Sequence, residues 1–331
     1  MVRERLYLFS SGKLSRQQNT LRFDGHHAPR PVFLPVEQIR EILVFGELDL
    51  NKRLLEFLSK KGILLHFFNR YGWYVGSFVP RDHLSSGLVL LRQAEHFLNP
   101  EWRLLLARTF VEGALQNMRQ VLLGYSRRGE NVGEAIQKME AMDVAGADRV
   151  DRLMAVEGSA REIYWTAVDQ MLQGTGFAMK KRTRRPPGNE VNALISYGNG
   201  LLYASVLSEI FRTHLDPRIG YLHETNFRRY TLHLDMAEIF KPVLVDRLVL
   251  SLIRKGQIKK KHFRGVKGGI YLNDTGKKIF VEAWEKALRR TLHHPRLKRP
   301  VSYRRLIRLE LYKLEKHLVE GVVYRPFRLR G

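Results

Sequence analysis

The chain has 331 residues, of which 44% are hydrophobic and 27% charged, so it can bury a core and is neither a disordered nor a fibrous protein. At roughly 150 residues per domain, this length predicts about two domains. There is no cysteine, which excludes disulfides, thiolate zinc sites and cysteine nucleophiles. The net charge of +24 predicts an anionic partner.

The positive charge is concentrated in the second half of the chain. Residues 1–165 contain 23 basic and 19 acidic side chains, whereas residues 166–331 contain 34 and 14. The first residues alternate in charge and lack the apolar centre of a signal peptide, and no apolar run approaches the ~20 residues of a membrane span. We therefore expect a cytoplasmic protein with no membrane partner, whose second half binds the anion.

Up to about residue 80 the sequence predicts short strands separated by turns. Short β-prone runs lie at residues 7–9, 21–23, 32–34, 39–45, 63–68 and 73–78. Gly, Ser and Pro punctuate the earlier runs in the manner of an antiparallel sheet, and the last two runs predict a hairpin. Leucines at helical spacing between Asn51, which can cap a helix, and Gly62 predict one helix within this sheet region.

From about residue 86 the apolar spacing becomes helical. Helices are predicted at residues 88–97, 101–122, 150–172, 192–215, 235–255, 275–292 and 303–320. Residues 258–272 contain several glycines between β-prone pieces and predict a basic hairpin or an ordered loop. The predicted fold class is therefore α+β with two domains, a β domain over residues 1–82 and a helical domain over residues 83–331.

Four basic clusters in the second half favour nucleic-acid binding. They lie at residues 180–185, 259–267, 289–308 and 325–330. One such run is usually a solvated face, but four runs can displace the counterions of a polyphosphate. The candidate DNA contacts are Lys180, Lys181, Arg182, Arg184, Arg185, Lys259, Lys260 and Lys261. The last cluster interleaves aromatic residues, which indicates either stacking on bases or an unstructured terminus.

Four side chains could bind a metal ion, although each has an ordinary structural interpretation. Glu157 lies one helical turn before Arg161, where a simple ion pair is worth ~0.3 kcal/mol. His223 follows a turn, and Asp235 and Glu238 have the spacing of a helix-capping box. A histidine and carboxylates in a basic region are also a ligand set for Mg²⁺ or Mn²⁺ beside a phosphate. The motifs of phosphate-loop nucleotide hydrolases, zinc proteases and serine esterases are absent.

Several segments resemble a known family. They are NALISY at 192–197, LY at 202–203, LDP at 215–217, IGYLHE at 219–224 and LDMAEIFKP at 234–242. Together they resemble the core of the CRISPR-associated endonuclease and integrase of the adaptation module. FGELDLN at 45–51 and GILLHFF at 62–68 resemble the N-terminal β domain of that family.

The resemblance implies an N-terminal β-sandwich domain that forms a homodimer and a C-terminal all-helical catalytic domain. It implies that Glu157, His223 and Glu238 are the catalytic metal ligands for Mg²⁺ or Mn²⁺. It implies that Asp235 contacts these ligands rather than the metal, or contacts DNA. The family usually has a basic residue just ahead of the stretch at Asn117, where this chain has Glu112-Gly113-Ala114.

The implied reaction is insertion of foreign DNA fragments into a CRISPR array by 3′-OH transesterification, together with cleavage of double-stranded and branched DNA. A second CRISPR-associated adaptation protein is the implied partner. An architectural nucleic-acid-binding protein without activity is the alternative, and it would leave Asp235 as a plain helix cap. A third interpretation is a repair nuclease for branched DNA that acts without a partner protein.

Overall fold

The computed structural model of the chain describes residues 4–80, 84, 86–225 and 230–330. Contacts divide the chain into two compact units, Met1–His83 and Leu84–Gly331. The predicted domain boundary between residues 82 and 83 lies outside the described residues. Each unit is described by itself below.

The first unit consists of eight described strands and one short α-helix, which lies between the sixth and seventh strands in the chain. In chain order its elements are β1 (Glu4–Leu8), β2 (Gly12–Gln17), β3 (Thr20–Gly25), β4 (Val32–Pro35), β5 (Ile39–Val44), β6 (Leu48–Asp49), α1 (Lys52–Lys61), β7 (Leu64–Phe68) and β8 (Tyr74–Phe78). Its described strands form two sheets, in the orders β1-β5-β7-β8 and β4-β3-β2-β6. Apolar side chains from both sheets and from α1 share one core, which confirms the predicted β region.

The predicted antiparallel order is wrong for part of the first sheet. β1 pairs with β5 in parallel, and β5 pairs with β7 in parallel because the connection between them contains α1 as a crossover. In the other sheet, β2 and β6 are parallel as well. The predicted helix is confirmed between Asn51, whose side chain accepts a hydrogen bond from the Leu54 amide, and Gly62 at φ 67°. The predicted hairpin is also confirmed, since β7 and β8 are antiparallel.

The second unit is mainly helical, as predicted. In chain order its elements are α2 (Gly87–Leu98), α3 (Pro100–Ser126), α4 (Gly133–Glu140), α5 (Val150–Met171), α6 (Glu190–Ile210), α7 (Leu232–Phe240), a π-helix (Lys241–Asp246), α8 (Arg247–Arg254), β9 (Phe263–Val266), β10 (Gly269–Leu272), α9 (Asp274–Arg289), β11 (Thr291–His294), β12 (Arg299–Ser302) and α10 (Tyr303–Glu320). Across the described residues, no helix is long and apolar enough to cross a membrane.

The expectation of an all-helical second domain is wrong, because two hairpins interrupt the helices. β9 and β10 form the hairpin that the glycines of residues 258–272 indicated. β11 and β12 form a second one, where the sequence predicted that the helix would continue to residue 292. α9 ends at Arg289, where Arg290 leaves the helical conformation, and Pro295 and Pro300 exclude a helix through the residues that follow.

The predicted helix over residues 235–255 is interrupted as well. α7 begins at Leu232 and passes at Lys241 into the π-helix, after which α8 begins. Pro242 has no amide proton, so the α-helical bond to the carbonyl of Glu238 is missing there. Widened turns of this kind occur frequently at functional sites.

Candidate active site

Asp235 organises the loop that carries His223. Its buried carboxylate accepts the amide N–H groups of Tyr221 at 2.5 Å, Leu222 at 3.0 Å and His223 at 2.9 Å. The same carboxylate lies 2.7 Å from Nδ1 of His223. Burial lowers the pKa of this imidazole, but the bond to Asp235 outweighs it and the net pKa is raised. With Nδ1 held in this way, Nε2 is the ring atom left to bind a ligand.

Asp235 is not the N-cap of α7. The helix begins at Leu232 and is preceded by Thr231, so Asp235 lies inside the first turn. At Gly220 an added Cβ would lie 2.8 Å from a carboxylate oxygen of Asp235, so only glycine permits this close approach. The interpretation of Asp235 as a plain cap, which accompanied the architectural alternative, is therefore wrong.

Arg161 joins the two glutamates that the sequence singled out. Its Nε donates to Oε1 of Glu157 at 2.7 Å, and its Nη2 donates to Oε2 of Glu238 at 2.6 Å. The Glu157–Arg161 pair on α5 was predicted as a simple helix pair, but here it also reaches across to α7. Burial lowers the pKa of Arg161, but the surrounding carboxylates raise it by more than burial lowers it. The net pKa is therefore raised and the guanidinium stays charged.

Glu238 is held as a carboxylate by two cations. Its Oε1 accepts a hydrogen bond from Nζ of Lys241, one turn later on the same helical segment. Burial raises the pKa of Glu238, but Lys241 and Arg161 reverse this effect and the net pKa is lowered. The ammonium of Lys241 also lies 5.3 Å from the ring centre of Tyr203.

Asp246 is a further acid of this cluster that sequence reasoning missed. It is fully buried in the π-helix, and its Oδ2 lies 3.8 Å from Nη1 of Arg161. Burial raises its pKa to about 7. The available signal was a lone acid within the apolar run of residues 243–253.

The three predicted ligands are brought into one cluster around α7. Glu157 pairs with Arg161, which also pairs with Glu238. His223 pairs with Asp235, and Asp235 lies one helical turn before Glu238. Among the residues described, no group of three His, Asp or Glu side chains is close enough to hold one ion as the side chains stand. The donor set of two carboxylates and one imidazole nevertheless fits Mg²⁺ or Mn²⁺ by its chemistry.

The two predicted DNA-contact segments lie on one surface. The carbonyl of Pro187 accepts the amide N–H of Ile270 at 2.8 Å, which joins the 180–188 loop to β10. Nζ of Lys260 lies 2.8 Å from Glu190 and 4.7 Å from the ring centre of Phe177. The exposed candidates on this surface are Lys180, Lys181, Arg184, Arg185, Lys259, Lys260 and Lys261.

Arg182 points into the protein instead. Its Nη1 donates to Oδ1 of Asn192 at 2.9 Å and its Nη2 donates to Oγ of Ser196 at 3.2 Å. Burial lowers the pKa of Arg182 to about 10, and the charges of Asp246 and Arg161 also act on it. This residue is therefore bonded to α6 rather than presented to a phosphate.

The C-terminal segment is built into the second unit, so the interpretation as an unstructured terminus is wrong. The hydroxyl of Tyr324 and the amide of Phe327 both donate to Oε1 of the buried Glu310, at 2.7 and 2.9 Å. The ring of Phe327 stacks on Phe240 of α7 at 5.7 Å. The segment thus packs against the helix that carries Glu238.

Asn117 of α3 ties this segment to α7. Its Nδ2 donates to the carbonyls of Ile239 at 2.8 Å and Phe327 at 3.1 Å, and its Oδ1 accepts from the Leu329 amide at 2.7 Å. A Cβ at Gly113 would lie 2.8 Å from Cβ of Pro326, so the glycine there makes room for the segment.

The chain as a whole is similar to known proteins of one family. The family model for CRISPR associated protein Cas1 matches residues 6–286. A CRISPR-associated endonuclease Cas1 of Thermodesulfovibrio yellowstonii is 50% identical over 328 residues, which are 98% of this chain and 99% of that protein. The solved structure of a Cas1 protein from Thermotoga maritima superposes with a TM-score of 0.86 at 50% identity, covering 98% of this chain and 100% of that one.

Two more distant solved structures share the fold. A casposase bound to integration product superposes with a TM-score of 0.85 at 21% identity, covering 98% of this chain and 92% of that one. A Cas6-RT-Cas1–Cas2 complex superposes with a TM-score of 0.84 at 19% identity, covering 99% of this chain and 36% of that one.

Proposed function

The chain belongs to the Cas1 family of CRISPR-associated proteins, and from this premise we propose that it is a metal-dependent DNA endonuclease and integrase of CRISPR adaptation. The family assignment confirms the resemblance seen in the sequence. The names of its relatives support the nuclease activity, and the casposase that shares its fold supports the integrase activity.

One observation carries the proposal: ion pairs through Arg161 link Glu157 to Glu238, and Asp235, one turn before Glu238, holds the imidazole of His223, so the three side chains belong to one partly buried polar network. We assign these three side chains to a single Mg²⁺ or Mn²⁺ ion. A divalent ion held by them would lower the pKa of an attacking hydroxyl and offset negative charge on the phosphate. Asp235 orients the imidazole of His223 for this role.

The remaining groups of the cluster prepare the donors and the substrate. Arg161 and Lys241 hold Glu238 as a carboxylate, the form that a metal ligand requires, and Arg161 also positions Glu157. The exposed lysines and arginines of the 180–185 and 259–261 segments bind the phosphates of DNA. Phosphate contacts of this kind position the duplex without reading its sequence.

The proposed reaction is a displacement at phosphorus. The 3′-hydroxyl of a captured DNA fragment loses its proton and its oxygen forms a bond to a phosphorus atom of the repeat. The bond from that phosphorus to the 3′-oxygen of the repeat strand breaks, and this oxygen takes up a proton to become a new 3′-hydroxyl. When water attacks instead, the same displacement cleaves double-stranded or branched DNA.

The proposed partners are DNA, a second copy of the chain and a second CRISPR-associated adaptation protein. The solved complex in which a protein of this fold occurs together with Cas2 supports the last of these. Light scattering of the purified chain, alone and with a Cas2-type protein, tests both protein partners. A monomer in both samples would contradict them.

Strand transfer tests the function. A labelled duplex with 3′-OH ends is incubated with a repeat-bearing plasmid, a Cas2-type protein and either Mn²⁺ or EDTA. We expect joining in Mn²⁺ that EDTA abolishes and that His223→Ala reduces by more than about 100-fold, the range of a lost catalytic ligand.

The matched control is His214→Ala, which removes another histidine paired through Nδ1 to a carboxylate, that of Glu315 at 2.8 Å, outside the cluster. It should join DNA like the wild type. Equal joining by the His223 variant and the wild type would contradict the proposal.

A further inference from the structure

The β11–β12 hairpin is an ordered element that the proposed function does not use. Its strands pair from Thr291 opposite Ser302 to His294 opposite Arg299. At the tip, the amide of Lys298 donates to the carbonyl of His294 at 2.9 Å, and the amide of Leu297 donates to Nδ1 of the same histidine at 3.2 Å. The hairpin therefore presents its side chains from a defined backbone.

The hairpin and its flanks carry an uncompensated positive charge. Residues 286–309 contain nine lysines and arginines and no acidic residue. Arg289 and Arg304 pair with Glu285, and Arg308 pairs with Glu209. Within the part of the chain that the structure describes, the other six make no ion pair, and all six are exposed: Lys286, Arg290, Arg296, Lys298, Arg299 and Arg305.

Neighbouring elements add to this charge. Lys313 of α10 and Arg330 of the C-terminal segment act on His294 together with Arg296 of the tip, and with burial they lower its pKa. His294 of β11 therefore lies in the field of cations from three stretches of the chain, of which Lys313 also pairs with Glu310. Like charges brought together in this way repel one another, so the arrangement favours a bound polyanion.

The shape of the hairpin narrows the choice of partner. Pro300 lies in β12 and Pro295 at the tip, and together with the cations they disfavour addition of another strand at its edges. Leu297 at the tip is 40% exposed between basic residues. A two-stranded ribbon fits a groove of duplex DNA, where its cations face phosphates and an apolar tip contacts the groove wall.

We propose that the β11–β12 hairpin is a second contact surface for duplex DNA, distinct from the basic surface of the 180–188 loop and β9–β10. Its cations bind phosphates, and Leu297 packs in the groove. The choice of DNA as the polyanion rests on the proposed function, but the contact itself requires no catalysis and no metal.

Salt dependence of binding tests the proposal. The variant Arg296→Ala/Lys298→Ala/Arg299→Ala is titrated with a fluorescent duplex in EDTA over a range of NaCl concentrations. Each phosphate contact contributes about 0.9 to the slope of log affinity against log salt, so we expect the slope to become shallower by about 2–3.

The matched control removes three exposed cations that also make no ion pair within the described residues but lie in the first unit: Lys13→Ala/Arg53→Ala/Lys60→Ala. It lowers the net charge equally and should keep the wild-type slope. A slope that is unchanged in the hairpin variant, or that falls equally in both variants, would overturn the proposal.

Leu297→Ala separates the apolar tip from the charge. Because it removes no cation, it should weaken binding by roughly tenfold while leaving the salt slope as in the wild type. Wild-type affinity in this variant would overturn the groove contact of the tip.

The outcome is independent of whether the chain joins DNA. If the wild type joins DNA but the hairpin variant keeps its slope, only the hairpin proposal fails. If the hairpin variant shows the shallower slope but the wild type never joins or cuts DNA, only the proposed function fails. A hairpin variant that binds DNA normally but no longer associates with a Cas2-type protein would make this a protein-docking surface and overturn the DNA contact.

Discussion

Replacing Asn117 by alanine should destabilise the second unit well beyond the loss of one polar side chain. Asn117 is fully buried and makes three hydrogen bonds, two through Nδ2 and one through Oδ1. A typical hydrogen bond contributes about 1 kcal/mol, and a buried carbonyl left without its donor costs about 1–3 kcal/mol. Because Ile239 is fully buried in α7, water cannot replace the donor that its carbonyl loses. The backbone near Phe327 and Leu329 is half-buried and can bond to water.

The sum is a loss of about 2–4 kcal/mol in the free energy of unfolding. For a unit of this size it corresponds to a fall of roughly 5–15 °C in the melting temperature, which calorimetry measures. Asn117→Asp keeps the acceptor for Leu329 but cannot donate to Ile239, so it should be nearly as destabilised. Hydrogen exchange should also show faster opening of the C-terminal segment in both variants.

Asn99→Ala is the matched control, because it removes the same residue type from the start of the same helix. Asn99 caps α3 through the amides of Glu101 and Trp102, and loss of such a cap costs about 1 kcal/mol. It should leave exchange in the C-terminal segment unchanged. A free energy of unfolding for Asn117→Ala within about 0.5 kcal/mol of the wild-type value would refute the claim that this residue holds the segment on α7.

Two other substitutions test buried charges. Arg161→Ala removes the cation that joins Glu157 to Glu238, and breaking a buried pair should cost about 3–5 kcal/mol in urea unfolding; a loss below about 1 kcal/mol would contradict the bridge. In the first unit, burial opposes ionisation of Glu41, but Arg5 at 2.5 Å outweighs it and the pKa of Glu41 is lowered well below its usual range. A lowered pKa stabilises the fold above the unfolded value of about 4.3, and this contribution is lost as the pH falls through the folded value. Unfolding measured from pH 7 to 3 should therefore show a steeper acid loss in the wild type than in Glu41→Gln, and equal slopes would contradict it.

Local signals were sufficient for much of the fold. The predicted helix over residues 303–320 has the same first and last residues as α10. Ser302 caps its start, and Gly321 ends it at φ 70°. β2 was missed because only Leu14 marks its buried face among polar residues, and its start was read as a turn. The parallel pairing of β1 with β5 depends on contacts distant in the chain, which spacing does not encode.

The candidate site was predictable as a set of residues but not as an arrangement. The spacing of Asp235 and Glu238 fitted a helix-capping box as well as a metal ligand set, and it was the resemblance to the family that named the ligands. That Arg161 bridges two helices, and that Asp246 faces it from the π-helix, follows from tertiary packing. The anchoring of the C-terminal segment by Asn117 is likewise a contact between residues more than 200 positions apart.

Binding of Mn²⁺ to the free protein, followed by electron paramagnetic resonance, tests most directly whether Glu157, His223 and Glu238 form one metal site. We expect the wild type to bind one ion and Glu157→Gln to weaken binding by about 10–100-fold. Glu162→Gln, which alters an exposed glutamate of the same helix, should bind as the wild type does. Unaltered Mn²⁺ binding by Glu157→Gln would contradict the proposed ligand set.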